Sequence, residues 1–156
     1  MSARAASRLA TLGFSNVYRY QAGRADWFAA GLPREGRDAR VPRVADVAER
    51  EVETCRLDER AGDVRHRVGS DGGKPLIVVD AERVVLGLVN SDALAGDPAI
   101  PVEEVMDSAP VTFRPNIRAG EMPDYLKKQG VQHAIVTTSD GVLVGLLHLQ
   151  PAHSTA

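Results

Sequence analysis

The feature that most constrains the fold is a repeat of the sequence at an offset of 58 positions. From Val41 onward the chain aligns with itself without a gap. Matching stretches include 60–62 with 118–120, 77–78 with 135–136, and 87–88 with 145–146. Identity over a tripeptide and several dipeptides in one register indicates a duplicated unit. Two copies of one fold, each covering part of the other, are therefore expected.

A predicted β-hairpin lies at the centre of each copy. Residues 75–90 and 133–148 each contain two runs rich in Val, Ile and Leu, separated by a short polar turn. Short strands are predicted before them at 52–57 and 111–114, and short helices after them near 91–94 and 149–153. The order strand–helix–strand–strand–helix, found twice, predicts an α/β (α+β) fold with two small sheets.

The first helix of each copy has a predicted apolar face. Its positions are Ala61, Val64 and Val68 in one copy and Ala119, Met122 and Leu126 in the other. We expect Asp58 and Asn116 to be N-caps, and Gly72 and Gly130 to end the helices. Pro123 predicts a kink, or a helix that begins at this residue, because proline is not tolerated inside a helix.

Composition excludes several classes of function. A formal charge of −2 argues against binding nucleic acid or an anionic membrane through charge. The single cysteine, Cys55, excludes an internal disulfide and a cysteine-cluster metal site. No apolar run approaches the ~20 residues that cross a bilayer. We expect a cytoplasmic protein that contacts neither nucleic acid nor membrane.

Residues 1–40 differ from the repeat. A short helix is predicted over 2–12, a strand over 17–20, and a second helix over 27–31 with Asp26 as its N-cap. The charged stretch 34–40 has no apolar period and is predicted to be a linker. The extension should therefore have the order helix–strand–helix.

Three motifs of the extension resemble the C-terminal end of a rhodanese-like sulfurtransferase domain: Ser2-Ala-Arg-Ala-Ala6, Leu12-Gly-Phe-x-Asn-Val-Tyr18 and Gly23-x-x-Asp-Trp-x-x-Ala-Gly-Leu-Pro33. The resemblance assigns residues 1–33 to such a fragment. It also places the family's reactive cysteine loop immediately before Ser2, where this sequence has none. Sulfur transfer needs that thiolate. It is expected only if the chain begins further upstream.

The repeat resembles a CBS domain pair, the module named after cystathionine β-synthase. The resemblance covers about residues 41–154 and depends on Val44-Ala-Asp-Val47, Val102-Glu-Glu-Val-Met-Asp107, Ile77-Val-Val-Asp80, Ile135-Val-Thr-Thr138, 84–89 and 142–147. It implies one repeat at 41–97 and another at 98–154, packed pseudo-symmetrically through their sheets. It also implies a homodimer and a regulatory protein rather than an enzyme.

CBS pairs bind adenosine ligands in the clefts between their halves, so the resemblance implies AMP, ADP, ATP or S-adenosylmethionine as a regulatory ligand and no required cofactor. The family's ligand motif is Gly-hydrophobic-hydrophobic-Thr/Ser-x-x-Asp. Here Asn90 and His148 occupy the hydroxyl position, and Ala93 and Pro151 occupy the position of the Asp. The candidate ligand-binding residues are Thr54, Leu76, Ile77, Asn90, Asp92, Thr112, Ala134, Ile135 and His148.

Two other interpretations of these residues stay open. Asn90 suits the N-cap of a helix over 91–94, and His148 suits a partly buried, hydrogen-bonded imidazole. If both roles are structural, the chain is a dimerisation or interaction module whose clefts hold no ligand. The sequence shows no catalytic carboxylate pair and no histidine spacing typical of zinc. Cys55 is predicted to be a core residue.

Overall fold

Two small sheets, each with one hairpin, organise the chain. The computed structural model describes residues 3–68 and 74–148 of the 156. Its helices are α1 (Ala3–Thr11), α2 (Gly23–Ala29), α3 (Val44–Val47), α4 (Ala61–Val68), α5 (Val102–Val105) and α6 (Met122–Gln129). Its strands are β1 (Thr54–Cys55), β2 (Leu76–Val79), β3 (Val85–Val89), β4 (Asp107–Ser108), β5 (Thr112–Phe113), β6 (His133–Thr137) and β7 (Leu143–His148). Residues Ala93–Ala95 and Ala119–Glu121 form 3-10 turns.

The sheets repeat each other's topology. The first has the strand order β1-β2-β3-β4 and the second β5-β6-β7. In each, a parallel pair is followed by an antiparallel hairpin, and Thr54 opposite Ile77 corresponds to Thr112 opposite Ile135. Both hairpins, the mixed α/β class and the pseudo-symmetric packing of two repeats are confirmed. The strands predicted at 52–57 and 111–114 are present but only two residues long.

The two sheets face each other across an apolar seam. Five buried side chains form it: Ile77, Val79, Ile135, Leu143 and Leu146. The hairpin tips are joined by two hydrogen bonds, in which the amide of Val85 donates to the Gly141 carbonyl at 3.0 Å and the amide of Leu143 donates to the Arg83 carbonyl at 2.9 Å. These bonds are related by the 58-residue offset, so the seam coincides with a pseudo-twofold axis.

The entry turns α3 and α5 are exchanged between the repeats. Val44 of α3 is fully buried in a cluster with Phe113, Met122, Leu126, Ala134 and Val136 of the second repeat. Val102 of α5 is equally buried among residues of the first repeat, from Cys55 to Leu94. The amide of Val44 donates to the Ile117 carbonyl and that of Val102 to the Glu59 carbonyl, both at 2.9 Å. Each core therefore contains the helical turn that precedes the other core in the chain: α5 lies in the first core and α3 in the second. No observation tests the boundaries 41–97 and 98–154, which stay a prediction.

Backbone pairing next to the entry turns explains the glycines inside the hairpins. Glu49 and Leu146 exchange two hydrogen bonds of 2.9 Å, and Leu88 lies opposite Asp107 on β4 in the equivalent arrangement. A Cβ on Gly145 would lie 2.5 Å from the Glu49 carbonyl oxygen, and one on Gly87 would lie 2.5 Å from the Met106 sulfur. Glycine permits this close approach of two backbones.

The helices α4 and α6 bury the faces that were predicted. Of the six predicted positions, Ala61, Val64, Met122 and Leu126 are fully or almost fully buried, whereas Ala119 and Val68 are partly exposed. Helix α6 begins at Met122 with Pro123 in its first turn, in agreement with a helix start near the proline, and ends at Gly130, which has a left-handed φ of 67°. Gly72 and residues 149–153 lie outside the described residues.

The predicted N-caps are wrong. Helix α4 begins at Ala61, three residues after Asp58, and the turn that leads into α6 begins at Ala119, with Arg118 in the cap position. The cause is a tertiary contact. Arg60 forms an antiparallel β-bridge with Pro101, just before α5, and Arg118 forms one with Arg43, just before α3. These residues are held extended, which delays the start of each helix beyond the reach of Asp58 and Asn116.

The extension contains two helices but no strand. Helix α1 is confirmed, whereas residues 17–20 have no strand partner and are not a strand. Asp26 is not an N-cap, because α2 begins at Gly23. The Asp26 carboxylate instead accepts a hydrogen bond of 2.9 Å from the amide of Ser139, in the β6–β7 turn. Alternating residue types therefore predicted a strand that has no edge to pair with.

Helix α2 docks on the second repeat and on α3. Phe28 lies beneath two guanidinium groups, those of Arg34 and Arg43, at 5.0 and 5.5 Å from its ring centre. Arg34 also forms a salt bridge of 3.0 Å with Asp46 of α3. Helix α1 has no buried residue, and Phe14 after it is 60% exposed. The assignment of residues 1–33 to a rhodanese-like fragment stays a prediction.

Candidate ligand-binding site

A cleft opens where the end of the first hairpin faces the beginning of the second repeat. Its volume is about 350 Å³, within the range of small-molecule sites. Strand β3 contributes Leu88 and Asn90, and the other wall comes from the second repeat. The lining residues are Leu88, Asn90, Pro110, Val111, Gly130, Val131, Gln132, His133 and Ile135. Both repeats therefore form this cleft, which we call the seam cleft.

The seam cleft is apolar with a few polar groups. Leu88, Val111 and Ile135 provide flat hydrocarbon walls, and Asn90 and Gln132 offer amide groups that both donate and accept hydrogen bonds. Its described lining contains no Lys, Arg, Asp or Glu. Such a lining suits an uncharged planar group that needs hydrogen bonds around its edge.

Two histidines meet at the end of the second hairpin. His133 and His148 lie opposite each other on β6 and β7, with 2.8 Å between their Nδ1 atoms and their rings edge to face. At this distance one ring must donate and the other accept, so the two nitrogens share one proton. Burial, and then the charge of His148, lowers the pKa of His133 below its ordinary value of 6.5. His133 is consequently uncharged at neutral pH.

The histidine pair continues into a charged pair of the first repeat. Glu49 Oε2 lies 3.5 Å from His148 Nε2 and 3.0 Å from the Lys74 ammonium. The hydrogen bond from Lys74 has the largest effect and lowers the pKa of Glu49. Burial, the next largest effect, opposes it, and the charges of Lys74 and His148 lower the pKa further. Glu49 is thus a carboxylate that links the entry segment of one repeat to the hairpin of the other.

A second depression, of about 450 Å³, lies on the far side of His148. It is lined by Val47, Glu49, Ala119, Met122, Pro123, Leu146, Leu147 and His148. The His148 Nε2 atom is buried there without a hydrogen-bond partner. We call this depression the α6 groove, since the first turn of α6 forms one wall.

Comparisons with known proteins agree with this architecture. The family model "CBS domain" matches residues 102–150. A putative acetoin utilization protein (AcuB) from Vibrio cholerae superimposes with a TM-score of 0.62 and 23% identity, over 69% of this chain and 84% of that one. The CBS domain pair of protein MJ0100, in complex with 5′-methylthioadenosine and S-adenosyl-L-methionine, gives 0.59 and 15%, over 69% and 90%. The fold is that of a CBS domain pair.

Other comparisons set the limits of this likeness. CBSX2 in complex with AMP matches with a TM-score of 0.60 and 17% identity, over 69% of this chain and 90% of that one. Three other similar structures are of longer chains, and this chain spans about half of their length, 46% to 55%. No curated protein sequence matches the chain.

The fold brings three of the nine candidate residues to a depression. Asn90 and Ile135 line the seam cleft, and His148 lines the α6 groove. Leu76 and Ala134 point into the cores of their own repeats, and Ile77 lies in the seam. The remaining candidates line neither depression: Thr54, Asp92 and Thr112.

The structure shows the surroundings of Asn90 and Asp92, the two candidate residues in the ligand motif of the first repeat. Asp92, not Asn90, stands at the N-cap of the turn Ala93–Ala95, and the Asn90 carbonyl accepts the amide of Ala93 at 3.0 Å. The N-cap interpretation of Asn90 is therefore wrong, and its exposed side chain remains available to the cleft. The interpretation of His148 as a partly buried, hydrogen-bonded imidazole is confirmed by its contact with His133.

The sequence did not point to the second wall of the seam cleft. Pro110, Val111 and the stretch 130–133 carry no reactive side chain except His133, and they contribute mainly backbone and hydrocarbon. A cue existed in the second hairpin: His133 begins the strand that pairs with the one ending at His148, so the two histidines lie at the same end of the hairpin.

Two further reactive side chains among the described residues, Cys55 and Arg67, have structural roles. Burial raises the pKa of the Cys55 thiol to about 11, so it is an unreactive core residue at neutral pH. In the basic stretch after it, Arg67 forms a salt bridge of 2.5 Å with Glu59.

Within residues 3–68 and 74–148, no group of His, Cys, Asp and Glu has the arrangement of a metal site. No helix in these ranges has both the length and the apolar composition needed to span a bilayer.

Proposed function

We propose that this CBS pair is a non-enzymatic regulatory module that binds an adenosine-type ligand in the seam cleft. The observation that carries the proposal is the origin of the cleft's walls: Leu88 and Asn90 belong to the first repeat, and Val111, His133 and Ile135 belong to the second. A ligand between them contacts both repeats at once. Its binding free energy therefore depends on how the repeats are placed relative to each other.

The chemistry of an adenosine ligand fits this lining. A purine ring needs a flat apolar slot, which Leu88 and Ile135 supply, and hydrogen bonds at its edge, which Asn90 and Gln132 can both give and accept. Related folds bind such compounds: the MJ0100 pair is in complex with 5′-methylthioadenosine and S-adenosyl-L-methionine, and CBSX2 with AMP. We infer the same ligand class for this chain.

The exchanged entry turns offer a route by which occupancy becomes a signal. A shift of one repeat against the other displaces α3 and α5, since each is packed in the opposite core. Helix α2 docks on α3 through Arg34 and Asp46, so the extension moves with it. In a homodimer, the same shift would change the surface that one subunit presents to the other.

Thermal unfolding in the presence of adenosine, AMP, ATP and S-adenosylmethionine tests the proposal. A ligand at 100 times its Kd adds about 2.7 kcal/mol of stability, which raises Tm measurably. The variant Val111→Trp should abolish the rise in Tm, because the larger side chain occupies the cleft that Val111 lines. Val111 is 48% exposed, so the folded protein tolerates the change.

The control is Val47→Trp, which changes an equally exposed valine (47%) in the α6 groove. It should keep the ligand-induced rise in Tm. If both variants respond like the unmodified chain, the ligand binds elsewhere, and the seam cleft is not the site.

A second candidate function is dimerisation without a ligand. It is favoured by the motif: Ala93 stands where the family has an Asp, and the neighbouring Asp92 is exposed outside the cleft. Light scattering distinguishes the two candidates when it is combined with the thermal series. A stable dimer whose Tm does not change with any nucleoside or nucleotide supports this second function.

A further inference from the structure

We propose that the seam cleft selects adenosine-type compounds with an uncharged or cationic 5′ substituent, such as a thioether or a sulfonium, over those with a 5′ phosphate. The inference rests on the proposed function and specifies the ligand class. It comes from three features of the cleft's described lining: the lack of charged side chains, the helix end that faces the cleft, and the pairing of His133.

The first feature is the absence of a cation among the described lining residues. Phosphate oxygens in proteins are held by charge-assisted bonds from Arg or Lys, or by amides at the start of a helix. The seam cleft instead offers two neutral amides, Asn90 and Gln132, and hydrocarbon. A phosphate that enters it exchanges water for partners that do not compensate its charge.

The second feature is the direction of α6. This helix ends at Gly130, and Gly130 lines the cleft together with Val131 and Gln132. The C-terminal end of a helix carries partial negative charge on its last carbonyl groups, which repels an anion and attracts a cation. Lys127 and Lys128 lie in the last turn, but both are exposed and neither lines the cleft.

The third feature is the pair of histidines. His133 could attract a phosphate by charge only as an imidazolium, and its Nδ1 is already engaged with His148 Nδ1 at 2.8 Å. The other charged groups next to this pair are Glu49, which faces His148, and Lys74, whose ammonium is bound by Glu49. Lys74 is therefore neutralised on the far side of His148 from the cleft.

Calorimetric titration of the full chain at pH 7.5 with 5′-methylthioadenosine and with AMP tests the preference. The two compounds share the adenosine and differ at the 5′ position. We expect the Kd of 5′-methylthioadenosine to be lower by about tenfold or more, the effect of one missing charge-assisted bond. Equal affinity, or tighter binding of AMP, overturns this inference and leaves the proposed function intact. Binding of neither compound, together with an unchanged Tm in adenosine, ATP and S-adenosylmethionine, removes both.

A charge-insertion pair shows whether the lining causes the preference. In Gln132→Arg a guanidinium enters the cleft wall, and AMP should then bind at least as tightly as 5′-methylthioadenosine. Gln129→Arg adds the same charge on the exposed surface of α6, outside the lining, and should keep the original order. If both variants change the order equally, selection depends on the net charge of the protein, and the inference fails.

Discussion

Replacement of Gly145 by alanine tests the backbone crossing that joins the two repeats. The added methyl group would lie 2.5 Å from the Glu49 carbonyl oxygen and 3.2 Å from the Ala48 Cβ. The obstacle is main chain, which cannot rotate away as a side chain does. The entry segment must therefore move away from β7, and the two hydrogen bonds between Glu49 and Leu146 lengthen or break.

The expected cost follows from these contacts. Forcing a methyl group into a packed position costs about 1–3 kcal/mol. Each weakened backbone hydrogen bond adds about 1 kcal/mol. Since the segment can relax in part, we expect a loss of about 2–4 kcal/mol for Gly145→Ala. For a chain of this length that corresponds to a fall in Tm of roughly 5–15 °C.

Two matched substitutions make the comparison specific. Gly87→Ala meets mainly the flexible end of Met106, so it should cost only about 1 kcal/mol. Gly120→Ala has no heavy atom within 4 Å of the new methyl group and should be neutral or slightly stabilising. Urea unfolding followed by circular dichroism gives all three values. If Gly145→Ala is no more destabilising than Gly120→Ala, the two backbones do not cross as described.

Three further predictions concern separate contacts. Asp26→Ala should speed hydrogen exchange at the Ser139 amide, read by NMR, and cost about 1 kcal/mol, because that amide loses its acceptor; unchanged exchange would show that α2 is not docked there. Stability should fall as the pH drops below about 6.5, because the lowered pKa of His133 means that the unfolded chain binds the proton more readily. His133→Gln should flatten urea-derived stabilities between pH 7.5 and 5, and an equally steep loss in this variant would assign the effect to another group. Cys55 should react with a thiol reagent at pH 8 only on unfolding, since its pKa is about 11; fast labelling of the folded chain would contradict its burial.

The 58-residue offset predicted the parts of the fold that depend on local pattern. Both hairpins lie where the repeat placed them, because two apolar runs around a short polar turn are visible in one copy and checked by the other. The offset could not show which core each entry turn joins. Val44 and Val102 are 58 positions apart, and this spacing is the same whether each residue packs in its own repeat or in the opposite one.

Features that depend on tertiary contact were missed for the same reason. Asp58 and Asn116 have the side chains of helix caps, but bridges at residues 60 and 118 delay the helices beyond them. The adenosine-ligand motif of CBS pairs marks only the end of each hairpin, at Asn90 and His148. Much of the second wall of the seam cleft is backbone and hydrocarbon from Pro110, Val111, Gly130 and Val131, whose residue types give no chemical signal.

The exchange of α3 and α5 has a consequence for dividing the chain. A cut after residue 97 leaves the first half without α5, which fills its core, and the second half without α3. Neither half then has a complete interior of its own. Halves divided there and expressed separately should regain structure only when they are mixed.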